Sequence, residues 1–234
     1  MTNDSRIILA VDTSDLSIAQ QWVETTRDFI FAYKLGLEFF AAFGAQGVKE
    51  LREVSDAELF LDLKLHDIPN TVRGAVKQVL ELRPRFLTVH ASGGSAMVSA
   101  AVNEGSNIDI AAVTILTSLS QLDLQEIGFA HSPIESAVGL ALLAKRAGAR
   151  AIVCSPQEIS AIRDAIGPDL AIITPGVRPV GEAGEDDQSR TMSPRDAVAD
   201  GASYLVIGRP ITGHWLSGAE AMRKRVAQIA EEVS

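Results

Sequence analysis

The stretch of this chain best equipped for chemistry is Leu61-Asp62-Leu63-Lys64-Leu65-His66-Asp67. Period-2 alternation along an extended segment puts Leu61, Leu63 and Leu65 on one face and Asp62 and Lys64 on the other. Opposite charges two residues apart on a buried strand need partners, because an unpaired buried charge is very costly. Lys34, in the otherwise apolar Ala32–Leu37, is the natural neighbour, and Asp12 ends the apolar Ile7–Asp12 in the same way. Asp67 follows three residues after Lys64, where the strand gives way to a loop. A structural ion-pair ladder would account for the same spacing. A lysine held between carboxylates stays protonated, which suits donating a proton to a carbanion and not acting as a neutral base.

A second constellation lies near the end of the chain. Thr174-Pro175-Gly176-Val177-Arg178 and Gly208-Arg209-Pro210-Ile211-Thr212 each follow an apolar run. Gly208 lets a backbone approach a phosphate oxygen and Arg209 offers a bidentate fork. The bland alternative is turn chemistry with solvated arginines. His66, His90, His131 and His214 are scattered without metal-ligand spacing, so no metal site is expected. Cys154, alone of its kind, reads as a small buried hydrophobe. There is no dinucleotide fingerprint, Walker loop or nucleophile elbow.

The elements that must position these groups are eight apolar, β-branched runs: Ile7–Asp12, Ala32–Leu37, Leu59–Leu65, Phe86–Ala91, Ile110–Leu116, Ala151–Pro156, Leu170–Val177 and Tyr204–Pro210. Such runs read as strands buried on both faces. Helical periodicity separates them, as in Asn70–Arg83 before Pro84, Ser136–Ala147 before Gly148, and Glu220–Glu231. Eight βα units predict a single-domain (β/α)8 barrel over residues 1–234, with an open doubly wound sheet as the structural alternative. Two long polar segments, Thr117–Pro133 and Arg178–Met192, follow the fifth and seventh strands, on the face where barrel sites are built. In such barrels, phosphate is often bound after strands seven and eight.

Composition narrows the class. The net charge of −9, from 30 acidic against 21 basic residues, argues against a nucleic-acid face, and the 5% aromatic content leaves little for base stacking. A single cysteine fits a reducing compartment. No run approaches the roughly 18 apolar residues of a spanning helix, and MTNDSRIILAVD has no signal-peptide pattern. The expectation is a cytoplasmic protein that uses neither membrane nor nucleic acid. An acidic protein with an anionic ligand needs a local positive pocket, which Arg178 and Arg209 would supply.

Asp62-Leu63-Lys64-Leu65-His66-Asp67-Ile68-Pro69-Asn70-Thr71 resembles the signature of the orotidine 5′-monophosphate decarboxylase family. The D-x-K-x-x-D core is shared with related barrel enzymes. Leu116-Thr117-Ser118, Thr174–Arg178 and Ile207–Thr212, in order, make the resemblance specific, and it extends from Asp12 to Arg209. It implies cofactor-free decarboxylation of orotidine 5′-monophosphate (OMP) to UMP, the last step of de novo pyrimidine nucleotide synthesis. By the resemblance, Asp12 and Lys34 hold ribose hydroxyls, and Lys34 also touches the charged array. Asp62 faces the substrate carboxylate, and Lys64 protonates C6. Asp67 reaches into the other subunit's site in a homodimer, and Thr71 contacts the same ribose. Thr117 lies at the pyrimidine end, with Ser120 hydrogen-bonding the ring. Gln188, Gly208 and Arg209 grip the 5′-phosphate beside Arg178; Gln188 rests on its Asp-Asp-Gln-Ser-Arg setting, residues 186–190. Two other readings are a Mg²⁺-dependent sugar-phosphate decarboxylase or aldolase of the same suprafamily, and a catalytically silent nucleotide binder.

Overall fold

In the computed structural model, which describes residues 5–179 and 192–233, eight parallel strands close in sequence order into a barrel. They are β1 (Ile7–Ala10), β2 (Ala32–Leu35), β3 (Glu58–Leu65), β4 (Phe86–His90), β5 (Asp109–Val113), β6 (Ala151–Val153), β7 (Ala171–Thr174) and β8 (Tyr204–Ile207). Closure is made by β1 on β8, with Ile8 opposite Val206. The expected (β/α)8 architecture is therefore the observed one, and the open sheet is not.

The described helices are α1 (Leu16–Thr26), α2 (Leu37–Arg52), α3 (Pro69–Val79), α4 (Gly94–Glu104), α5 (Gln121–Glu126), α6 (Pro133–Arg146), α7 (Ile159–Ile166), α8 (Pro194–Ala199), α9 (Arg209–Thr212) and α10 (Ala219–Glu232). The helix expected over 70–83 is α3, which starts at Pro69 and gives way to a 3-10 turn at Leu80–Leu82. Arg83 then turns left-handed (φ 51°), since Pro84 disfavours a helical residue before it. The helix expected over 136–147 begins earlier, at Pro133, where Ser132 and Glu135 form a capping box, and Gly148 closes it at φ +91°. The segment after β5 contains α5, capped by Ser120 and Asp123.

Alternation along each strand sorts the core into two layers. Ile8, Ala10, Ala32, Phe60, Phe86, Ala111, Ala151, Ile173 and Val206 pack inside the barrel. Their neighbours, including Ile7, Leu9, Leu59, Leu61, Leu87 and Leu205, face the helices. Because the side-chain period is two, the residues in line above the inner layer are already chosen. Ala10 leads to Asp12, Ala32 to Lys34, Phe60 to Asp62 and Lys64, Phe86 to Thr88, and Val206 to Gly208. They lie between the middle of their strands and the first residues beyond the carboxyl ends. Every strand is shorter at its carboxyl end than its apolar run suggested, except β3, which ends at Leu65 as expected. The surplus residues, such as Asp12, Ile115, Leu116 and Pro175, build the mouth of the barrel.

Candidate active site

The mouth encloses a cavity of about 290 Å³. Its floor is apolar, from Ala10, Phe60 and Val206, and Val113, Ile115 and Val153 continue that surface up one wall. Asp12, Lys34, Asp62 and Lys64 line it together with Thr117, Arg178, Gly208 and Arg209. Cys154 lies one residue beyond β6, buried against the same cavity.

Charges alternate across the array. Lys64 Nζ donates to Asp62 Oδ2 at 2.7 Å, Lys34 Nζ lies 3.5 Å from the same oxygen, and Lys34 also donates to Asp12 Oδ1 at 3.1 Å. Burial pulls the Asp62 pKa upward. The Lys34 and Lys64 ammoniums, with hydrogen bonds from Lys64 and Thr88, outweigh it and hold the carboxyl below its ordinary 3.8. For Lys34, burial favours the neutral amine, but Asp62 and Asp12 hold its pKa above 10.5. Both groups are therefore charged at neutral pH. Room for the Lys34 ammonium depends on Gly36, where a Cβ would stand 3.3 Å from Nζ. Gly208 is similarly constrained, since a Cβ there would meet Ala10 Cβ at 3.3 Å.

Lys64 has φ +47°, a left-handed conformation that costs a non-glycine residue on the order of 1 kcal/mol or more. It sits where the β3–β4 register shifts between Leu61 and Leu65. Such an irregularity re-aims a side chain beside a site. Simple alternation gave the correct face for Lys64 but held no sign of this bulge, nor of Thr88, whose hydroxyl meets both Asp62 and the Lys64 backbone. The only sequence signal for Thr88 was a polar residue on the inward parity of an apolar strand.

Asp67 is exposed, with its carboxylate accepting from the Ile68 N–H at 2.6 Å, and Thr71 is exposed on α3. Neither lines the cavity of the single chain. Ser120 does not line it either: its hydroxyl donates to Asp123 Oδ2 at 2.7 Å and caps α5. Gln188 lies outside the described residues. The Arg178 N–H donates to the Met192 carbonyl at 2.9 Å, joining the two sides of the segment between them. Among the described residues no three His, Cys, Asp or Glu side chains are grouped to hold a metal ion.

His66 and His90, treated separately in the sequence, have ring centroids 5.3 Å apart. Burial, followed by the His66 and Lys64 charges, lowers the His90 pKa below 6.5, against an opposite pull from Asp62. The unfolded chain therefore takes up this proton at a higher pH than the folded one. The stability this represents is complete above about pH 6.5 and is lost as pH falls toward the depressed folded value. Urea midpoints at about pH 7 and 5.5 are expected to fall less for His90→Asn than for the parent chain, whereas equal falls would show that His90 is not the group responsible.

Residues 5–224 match the family model described as Orotidine 5'-phosphate decarboxylase / HUMPS family. The chain belongs to this family. The orotidine 5'-phosphate decarboxylase of Thermobifida fusca (strain YX) is 48% identical over 206 residues, 88% of each chain. That of Gluconobacter oxydans (strain 621H) is 43% identical over 220 residues, covering 91% of this chain and 92% of that one. Among solved structures, orotidine 5'-phosphate decarboxylase from Lactobacillus acidophilus superposes with a TM-score of 0.84 at 31% identity, covering 98% of this chain and 99% of that one. Membership of this decarboxylase family agrees with a barrel whose charged side chains gather at one mouth.

Proposed function

We propose that this protein decarboxylates OMP to UMP and CO2, the last step of de novo pyrimidine nucleotide synthesis, in one barrel domain spanning residues 1–234. The observation that carries this reading is the Lys34–Asp62–Lys64 array, with one buried carboxylate 2.7 and 3.5 Å from two ammoniums above an apolar floor. Loss of CO2 from C6 of the pyrimidine leaves an anion in an sp² orbital that the ring cannot delocalise. A fixed ammonium aimed at C6 in a water-poor pocket stabilises that charge. Lys64 supplies it and then transfers its proton to C6.

Asp62 faces the substrate carboxylate, so their repulsion is relieved as CO2 departs. Asp12 and Lys34 hold the ribose hydroxyls, and Thr117 and Ser120 stand at the pyrimidine end. Arg209, with Arg178, Gln188 and the Gly208 backbone, grips the 5′-phosphate. Such reactions ask for on the order of 20 kcal/mol of transition-state stabilisation, which no single contact supplies. Phosphate binding adds remotely, by closing loops over the site.

The active form is a homodimer in which Asp67 of each chain completes the other's array and Thr71 joins the same ribose. The exposure of residues 66–71, with Ile68 66% accessible beside the array, supports a second copy over this edge. The reaction uses no cofactor or metal, and the enzyme works in the cytoplasm.

The test is the ultraviolet absorbance of OMP mixed with EDTA-treated protein and no addition. Orotate absorbance is expected to fall as UMP forms. Activity lost on chelation and restored by Mg²⁺ would overturn the metal-free mechanism. Saturable OMP binding without turnover would replace the enzyme with a silent binder.

A further inference from the structure

We propose that Thr88 is a positioning residue for this decarboxylation, a latch whose single hydroxyl sets both the Lys64 backbone and the Asp62 carboxylate. The proposal rests on the reading above for its kinetics and on geometry for the rest. Thr88 is fully buried on the inward side of β4, directly above Phe86. Its Oγ1 accepts a hydrogen bond from the Lys64 N–H at 2.8 Å and donates one to Asp62 Oδ1 at 3.0 Å. A hydroxyl has one proton, and that proton is committed to Asp62.

The register explains why a side chain is needed here. Leu61 pairs with Leu87, but the next pairing is Leu65 with Val89, so β3 spends four residues where β4 spends two. The bulge that turns Lys64 to φ +47° carries its N–H out of the regular ladder. A buried amide without a partner is costly, and the Thr88 hydroxyl stands in for the missing carbonyl. With Oδ1 held from below, Asp62 presents Oδ2 to both ammoniums, at 2.7 and 3.5 Å. Without the hydroxyl, Lys64 has reason to relax toward extended backbone, which would carry its Nζ away from C6. Asp62 would keep only its Oδ2 contacts to the two ammoniums and would be able to turn about them.

The reacting atoms would then be misplaced while the ribose and phosphate contacts on other strands survive. Thr88→Val keeps the shape and deletes the hydroxyl. It is expected to lower kcat about a hundredfold with KM changed less than about threefold, as a small misplacement of a reacting group does. Thr88→Ser restores the hydroxyl and is expected to stay within about threefold of the parent kcat. A parent-like kcat in Thr88→Val, a loss confined to KM, or equal losses in the Ser and Val variants would overturn the latch. If Thr88→Val does not fold, Thr88→Ala, which puts no methyl groups against two polar atoms, takes its place against Thr88→Ser. The crystal structure of the hydroxyl-less variant is read independently of turnover. Lys64 leaving positive φ, or Asp62 rotating, is expected, and an unmoved pair would overturn the proposal. If the parent chain itself does not consume OMP, the decarboxylase reading fails, and the latch is still decided by that structure.

Discussion

Lys64→Ala is expected to lower kcat about 10⁴-fold or more, because it removes both the charge facing the developing anion and the proton donor. Binding of UMP is expected to survive. The groups assigned to ribose and phosphate, Asp12, Lys34, Gly208 and Arg209, lie on or beyond strands β1, β2 and β8. The loss belongs in kcat and kcat/KM together, the pattern of an interaction made in the transition state. Asp62 would keep Lys34, 3.5 Å away, and the Thr88 hydroxyl, so the carboxylate is not left without partners. Single-turnover kinetics with UMP titration checks both halves. A variant retaining about a tenth of the parent rate would remove Lys64 from the role of proton donor.

Restoration of activity by mixing two inactive chains is the second large effect. Asp67→Ala and Lys64→Ala homodimers are each expected to be inactive. In a heterodimer with shared sites, the Asp67→Ala chain keeps Lys64 and receives an intact Asp67 from its partner, while the other site lacks both. Random exchange at equal amounts makes half the dimers mixed, each with one complete site. About a quarter of parent activity is therefore expected in a two-fold symmetric dimer. Verified heterodimers without activity would place Asp67 in its own chain's site. The motive is geometric: within one chain the Asp67 carboxylate accepts from the Ile68 N–H and lies off the cavity lining.

Much of this was legible in the residues. Alternation alone puts Asp62 and Lys64 on one face, and the cost of unpartnered buried charge matches Lys34 and Asp12 to them. All four line one cavity. Thr117, Arg178, Gly208 and Arg209, separated by up to ninety-two positions in the numbering, meet around the same space. Ser120 is assigned to the ring by resemblance alone, and its local sequence carries a second signal. A Ser followed three residues later by Asp is also a capping pattern, and in this chain the hydroxyl is engaged with Asp123. His66 and His90 illustrate a limit of local reading, since the stacking of β3 on β4 brings them together across twenty-four positions.

The sequence by itself determined the eight βα units, the inward parity of each strand, and which charges had to share the barrel mouth. Those follow from periods of 2 and 3.6 residues and from the cost of isolated buried charge, all of which act locally along the chain. Only the tertiary structure decided where each strand stops, how far β3 slips against β4, and that the Thr88 hydroxyl accepts the N–H of a left-handed Lys64. Pairing register depends on contacts between segments distant in sequence, and because β3 spends two residues more than β4 between Leu61 and Leu65, parity is the same on either side of the bulge. The pattern of side chains is therefore the same with or without it, while the direction of the lysine is not.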